Sequence, residues 1–154
     1  MTFSVHLQFG DARWRKVRGL SARLDIAAKR ALTRGKAPAQ VALTVLLSDD
    51  VQLKTLNRDF RGKNTPTNVL SFPAPANAES YLGDVAIAYE VTRDEARAAQ
   101  KRLADHATHL VVHGVLHLLG FDHVTERQAR KMEPLETRIL AELGIADPYA
   151  SEAA

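Results

Sequence analysis

The chain has 154 residues, 45% hydrophobic and 25% charged, with a net charge of +3; this is enough for one globular domain with a real core, too few for two comfortable ones, and the wrong composition for wholesale disorder. The absence of cysteine excludes disulfide staples, cysteine-based zinc fingers, iron–sulfur clusters and thiol nucleophiles. Charge is unevenly spread: residues 1–40 carry nine Lys or Arg against two Asp, while the remainder carries 12 basic against 16 acidic residues.

Phe3, Val5, Leu7 and Phe9 alternate with polar or small residues, the period of a half-buried strand. A helix is expected over residues 12–34, where Val17, Leu20, Leu24, Ala27, Ala28 and Ala31 recur three or four apart, and Gly35 and Pro38 end it. Arg13, Arg15, Lys16, Arg18 and Arg23, with Trp14 among them, form either a phosphate-facing surface or a solvated helix face. Residues 41–47 are a β-branched and aliphatic run suited to a second strand. Asp49 or Asp50 can cap a following helix through about Phe60 by accepting orphan amide hydrogens.

RGKNTPTN, from Arg61 to Asn68, is turn chemistry, and residues 68–72 make a short strand stopped by Pro73 and Pro75. Another strand fits Tyr81–Ala88, with Gly83 and Asp84 marking a bulge or a close approach by another group. Helices dominate the rest. One is expected over residues 92–103, capped by Thr92 with Glu95 three residues on, and a second over 107–119, capped by Asp105 and closed by Gly120. TERQ at 125–128 is another capping box; Met132, Leu135, Ile139 and Leu143 keep a helical spacing, and Pro134 should kink or split that helix.

The expected fold class is therefore α+β: one domain over residues 1–146, with a small mixed sheet of about four strands packed with about five helices, then a flexible acidic tail over 147–154. The N-terminus lacks a basic segment followed by an apolar one. The run from Leu110 to Phe121 is too short, and too interrupted by histidine, to span a bilayer, so a cytoplasmic protein without a membrane partner is expected.

Within that run, residues 113–123 read HGVLHLLGFDH. Buried imidazoles need partners, so histidines among Val111, Val112, Val115, Leu116, Leu118 and Leu119 call for a compensating interaction. His113 and His117, four apart on a helix, project from nearly the same face and can place ring nitrogens on one ion. Gly120 can take the left-handed conformation that ends a helix, letting His123 reach that ion from a third direction. Three neutral imidazoles suit zinc and leave a fourth tetrahedral position open, a catalytic arrangement, although Asp122 or Asp84 could close it. His106 and His109 continue toward the same face but lack the corner geometry, and surface or ligand-orienting roles fit them better. His-His-Gly-His spacing also occurs in metzincin proteases, where a glutamate base follows the first histidine; that position here is Gly114, so the usual route to peptide hydrolysis has no visible base.

Three segments in register, HGVLHLLGFDH, LNRDFRGKNTPTNVLSFP at 56–73 and LGDVAI at 82–87, closely resemble the signature blocks of the YbeY family of bacterial ribosomal RNA maturation factors. The resemblance implies a single-strand-specific, metal-dependent endoribonuclease acting in rRNA maturation, including 16S 3′-end processing, and in ribosome quality control. It further implies one zinc ion per chain at His113, His117 and His123, and a positively charged cleft in which Arg61 acts on the phosphate. Its implied partners are single-stranded RNA, chiefly ribosomal, and the ribosome or its small subunit, with no nucleotide cofactor. A non-catalytic zinc-containing ribosome-assembly factor and a metalloprotease-like hydrolase remain as alternatives. On the residues alone, Arg61 is a helix-end arginine able to grip a phosphate with two parallel hydrogen bonds.

Overall fold

A computed structural model describes residues 2–62, 67–75, 78–122 and 125–146. Strands β1 (Thr2–Phe9), β2 (Gln40–Ser48), β3 (Val69–Pro73) and β4 (Tyr81–Ala88) form one mixed sheet in the order β1-β2-β4-β3. β2 runs parallel to both β1 and β4, and β3 pairs antiparallel with β4 at the edge. A parallel neighbour cannot be reached by a tight turn. Helix α1 (Leu20–Arg34) accordingly carries the chain from β1 to β2, and α2 (Asp50–Arg61) leads away from β2. Three further helices, α3 (Tyr89–Ala98), α4 (Leu103–Leu118) and α5 (Glu126–Glu142), complete the α+β domain.

Strand alternation divides the core in two. Val41, Leu43, Val45 and Leu47 of β2 and Val85 and Ile87 of β4 face a large cluster with α1, α4 and α5, to which Leu24, Leu32, Val111, Leu116, Met132 and Ile139 contribute. The opposite face carries Leu46, Leu70, Ala86 and Ala88 against Leu53 and Leu56 of α2. α4 lies at the centre of the larger cluster and is buried almost all round, save for a stripe of half-buried histidines.

Two glycines set the approach of α4 and β3 to β4. A Cβ at Gly114 would stand 2.6 Å from Val85 Cγ1, so α4 can lie this close to the sheet only without one; Ser71 Oγ donates to the Gly114 carbonyl at 2.9 Å across the same gap. Gly83 sits at φ 142, beside the register shift in the β2–β4 ladder, and a Cβ there would lie 2.3 Å from the carbonyl oxygen of Phe72. This bears out the close approach read from the sequence. Gly83→Ala is expected to destabilise the fold by about 3 kcal/mol, seen as a lower urea midpoint at unchanged slope.

The structure corrects four boundaries. Residues 12–34 do not form one helix: a 3-10 turn (Ala12–Lys16) is followed by an extended Val17 and a left-handed Gly19 before α1 starts. Asp11 caps the turn by accepting from the Arg13 N–H at 2.8 Å, and the buried Trp14 donates Nε1–H to the Ser48 carbonyl at 2.8 Å. An indole anchored on the end of β2 cannot also continue the α1 axis. Three of the five basic side chains, though still partly exposed, are engaged by other residues of the chain: Arg13 pairs with Asp11 and Glu90, Arg23 pairs with Asp105, and Arg15 lies over the Phe9 ring. That favours the structural role for these side chains over a phosphate-facing one.

Thr92 is not a cap but is buried inside α3, which begins directly after β4. The cap is supplied from α2. Asp50 accepts from the Val91 N–H at 3.0 Å, and Glu90 accepts from the Asp50 N–H at 3.2 Å, so two helix N-termini satisfy one another's orphan donors. α4 starts at Leu103, with Asp105 inside its first turn where a carboxylate complements the dipole. Pro134 does not split α5, because Met132 on one side and Ile139 and Leu140 on the other are all packed into the core. The capping box at Thr125 and Gln128 forms as read, as does the Asp49 cap of α2. The expected tail at 147–154 and residues 63–66 of the RGKNTPTN turn fall outside the described residues.

Candidate functional site

His106, His109, His113 and His117 follow one another at spacings of three, four and four, which a helix turns into a single stripe. On α4 that stripe is half-buried beside α5. His113 Nε2 and His117 Nε2 stand 2.9 Å apart with ring centroids at 4.5 Å, so these two imidazoles converge as their spacing requires. α4 then ends as expected. Gly120 is at φ 97, its N–H bonds to the His117 carbonyl at 3.0 Å, and the Phe121 N–H reaches back to the Leu116 carbonyl at 3.0 Å. His123 itself lies outside the described residues. Asp122 is half-buried in a small cleft of about 290 Å³ that also includes Gln128 and Lys131.

The residue that sequence reasoning missed is Glu136. Its side chain is fully buried, yet both carboxylate oxygens have partners: Oε1 lies 2.9 Å from His113 Nδ1, and Oε2 lies 2.9 Å from His109 Nε2. Burial alone would raise this carboxyl and is the largest single influence. Hydrogen bonds from His109 and His113, with their attraction for the anion, together outweigh it and hold the group at about 2. Among the described residues, donor atoms of His109, His113 and Glu136 all fall within 4.8 Å of one another, making a cluster able to hold a metal ion. A signal was present in the sequence: Glu136 shares the buried stripe of α5 with Met132, Ile139 and Leu140, where a carboxylate needs a cation or a donor.

His106 belongs to a separate network. Its Nε2 lies 2.9 Å from Glu95 Oε1, and Asn68 Nδ2 donates to the same oxygen at 3.0 Å. The hydrogen bond from His106 holds the Glu95 carboxyl below its ordinary value. This ties the start of β3 to α3 and α4, so His106 and Asn68 are accounted for by structure.

Arg61 is carried by a different helix from the histidines. It is the last residue of α2, exposed, followed by a left-handed Gly62 that closes the helix. α2 covers the sheet face opposite α4, and there Arg61 lines an open cleft of about 670 Å³ with Gln8, Thr44, Phe60, Phe72 and Asp84. Phe60 is 69% exposed and meets Phe72 edge-on, with centroids 5.2 Å apart. Asp84 accepts a hydrogen bond from the Tyr81 hydroxyl, which also lies 2.8 Å from Thr44 Oγ1.

The sequence profile of the family described as Endoribonuclease YbeY matches residues 13–144. The chain belongs to that family. Endoribonuclease YbeY of Rhodopseudomonas palustris (strain BisA53) is 54% identical over 121 residues, covering 74% of this chain and 70% of that one. The protein of the same name from Chelativorans sp. (strain BNC1) is 43% identical over 153 residues, covering 96% and 94%. A solution structure of a Thermotoga maritima protein superposes with a TM-score of 0.55 at 23% identity, covering 94% of this chain and 97% of that one, and so shares the fold. The YbeY resemblance carried by the three sequence blocks is thus borne out. In this YbeY chain the histidine pair lies within α4, and the Glu136 cluster joins α4 to α5.

Proposed function

We propose that this chain is a zinc-dependent endoribonuclease that cuts single-stranded RNA, chiefly ribosomal RNA, during rRNA maturation in the cytoplasm, including processing of the 16S 3′ end and ribosome quality control. The observation that carries the reading is the convergence of the His113 and His117 ring nitrogens at 2.9 Å in a chain whose relatives are named endoribonucleases. The donor chemistry fits zinc: neutral imidazoles are borderline ligands, no thiolate is available, and the apolar run around them limits water. His113 and His117, joined by His123, would hold the ion. When bound, zinc supplies Lewis-acid chemistry, polarising a phosphoryl oxygen or acidifying water.

The protein's own groups would do the rest. Arg61 presents a planar guanidinium at the rim of the sheet-face cleft, where two N–H groups can grip one phosphate. Exposed Phe60 beside it offers an aromatic face of the kind on which unpaired bases stack. Among the described residues no helix is long and apolar enough to cross a membrane. The ribosome or its small subunit is the proposed site of action.

Purified protein incubated with single-stranded ribosomal RNA is expected to cleave it, and a chelator should abolish cleavage while sparing RNA binding. RNA binding with no metal-dependent cleavage at all would overturn the enzyme reading in favour of an assembly factor. Product ends report the attacking group, since a 2′,3′-cyclic phosphate implicates the ribose hydroxyl.

A further inference from the structure

Glu136 is a carboxylate at a position where α5 otherwise buries apolar side chains, and it is held there by two histidines of α4. We propose that Glu136 is a positioning residue for the metal centre: by accepting the Nδ1–H of His113 it fixes that ring's tautomer and leaves the Nε2 lone pair facing His117. The inference rests on the reading of His113 and His117 as metal ligands and adds what sets their orientation.

The argument starts from the imidazole. A neutral ring carries one N–H and one lone pair, and only the lone pair can bind a cation. An ionised carboxylate only accepts, so a ring nitrogen 2.9 Å from Glu136 Oε1 must carry the hydrogen. In His113 that nitrogen is Nδ1. The lone pair is thereby assigned to Nε2, the atom that lies 2.9 Å from His117 Nε2. The same contact stops the ring from flipping, because a flip would turn a carbon toward the carboxylate.

His109 completes the device. It occupies the second oxygen of Glu136 at 2.9 Å, so the carboxylate is pinned from both sides and cannot rotate away from His113. Glu136 has no exposed surface of its own, so these contacts are made to side chains and not to bulk solvent. The chain of contacts His109, Glu136, His113, His117 thus ends on the pair of converging nitrogens.

The other arrangement the cluster permits is an ion held directly by His109, His113 and Glu136. It would take His113 through Nδ1, leave the converging Nε2 atoms of His113 and His117 without a task, and require a hydrated cation to enter beside a side chain with no exposed surface. The geometry therefore favours Glu136 as the support of a ligand over Glu136 as a ligand.

The test is zinc binding to the metal-free full-length protein, by competition with a chromophoric chelator, for the wild type, Glu136→Gln, His117→Ala and His109→Ala. A glutamine amide keeps the shape but cannot accept from both histidines. Glu136→Gln is expected to weaken zinc about 10- to 100-fold, His117→Ala to abolish measurable binding, and His109→Ala to weaken it less than Glu136→Gln. Wild-type affinity in Glu136→Gln, with binding still lost in His117→Ala, overturns the positioning role and leaves the metal reading intact. Normal binding in His117→Ala, with loss in His109→Ala, overturns both and assigns the ion to the inner cluster. Should the Gln variant fail to fold, long-range 1H–15N correlations on the metal-free wild type decide alone: His113 as the Nδ1–H tautomer supports the proposal, and the Nε2–H tautomer overturns it.

Discussion

Replacing His113 and His117 together by alanine is expected to abolish zinc binding and to lower RNA cleavage at least about a thousandfold, a larger loss than removing one hydrogen-bond donor produces. The two rings supply the converging Nε2 atoms, and one remaining imidazole is too weak a holder to keep the ion at catalytic occupancy. The stability of the double variant will fall as well. His113 is a partner of the buried Glu136 carboxylate, and its loss weakens the support of that anion, costing about 2 kcal/mol, below the full penalty of an unpartnered buried charge. His117→Ala leaves the His109 and His113 contacts of Glu136 in place and so separates the two effects. It should lose zinc and cleavage while its metal-free melting temperature stays within a few degrees of the wild type. Zinc content by atomic absorption and gel-resolved cleavage of single-stranded RNA check both variants. Cleavage persisting undiminished in both, with zinc absent, would remove these histidines from the chemistry.

Much of the fold was legible because its signals are local. Alternation in Phe3, Val5, Leu7 and Phe9 and in β2 marks which side chains enter the larger core, and β4 occupies the residues its pattern gave it. The Asp49 cap and the Thr125 box close within three residues, so the sequence displays both partners. What it does not display is a partner supplied from elsewhere in the chain. α3 begins at Tyr89 because Asp50, 41 residues away, caps Val91. The expected N-terminal helix is interrupted because Trp14 anchors on Ser48, 34 residues on. The same reason hid Glu136. Its helical stripe was read from Met132, Leu135 and Ile139, and nothing within a few residues reveals that His113, 23 positions earlier, is what makes a carboxylate tolerable there. The convergence of His113 with His117 is a property of one helix and was readable. The role proposed for Arg61, by contrast, comes from family resemblance, since a helix-end arginine carries no local signal.

Arg61→Ala is expected to slow cleavage by about two to three orders of magnitude, roughly 3 to 4 kcal/mol of transition-state stabilisation, with zinc binding unchanged. The side chain is exposed, and α2 is closed by Gly62 rather than by the arginine, so the folded state should lose no more than about 0.5 kcal/mol of helix-end charge interaction. A large kinetic effect beside a negligible structural one is what distinguishes a group acting on the phosphate from a surface residue. Arg61→Lys refines the point. It keeps the positive charge and loses the planar fork, so if two parallel hydrogen bonds to the phosphate matter it should recover only part of the rate. Single-turnover kinetics on a defined single-stranded RNA decide between two uses of the cleft that Arg61 shares with Phe60, Phe72 and Asp84. Loss confined to RNA affinity, with the rate of the bound complex unchanged, would make Arg61 a grip on the strand. Loss in the bound complex assigns it to the charge that grows on the phosphoryl group.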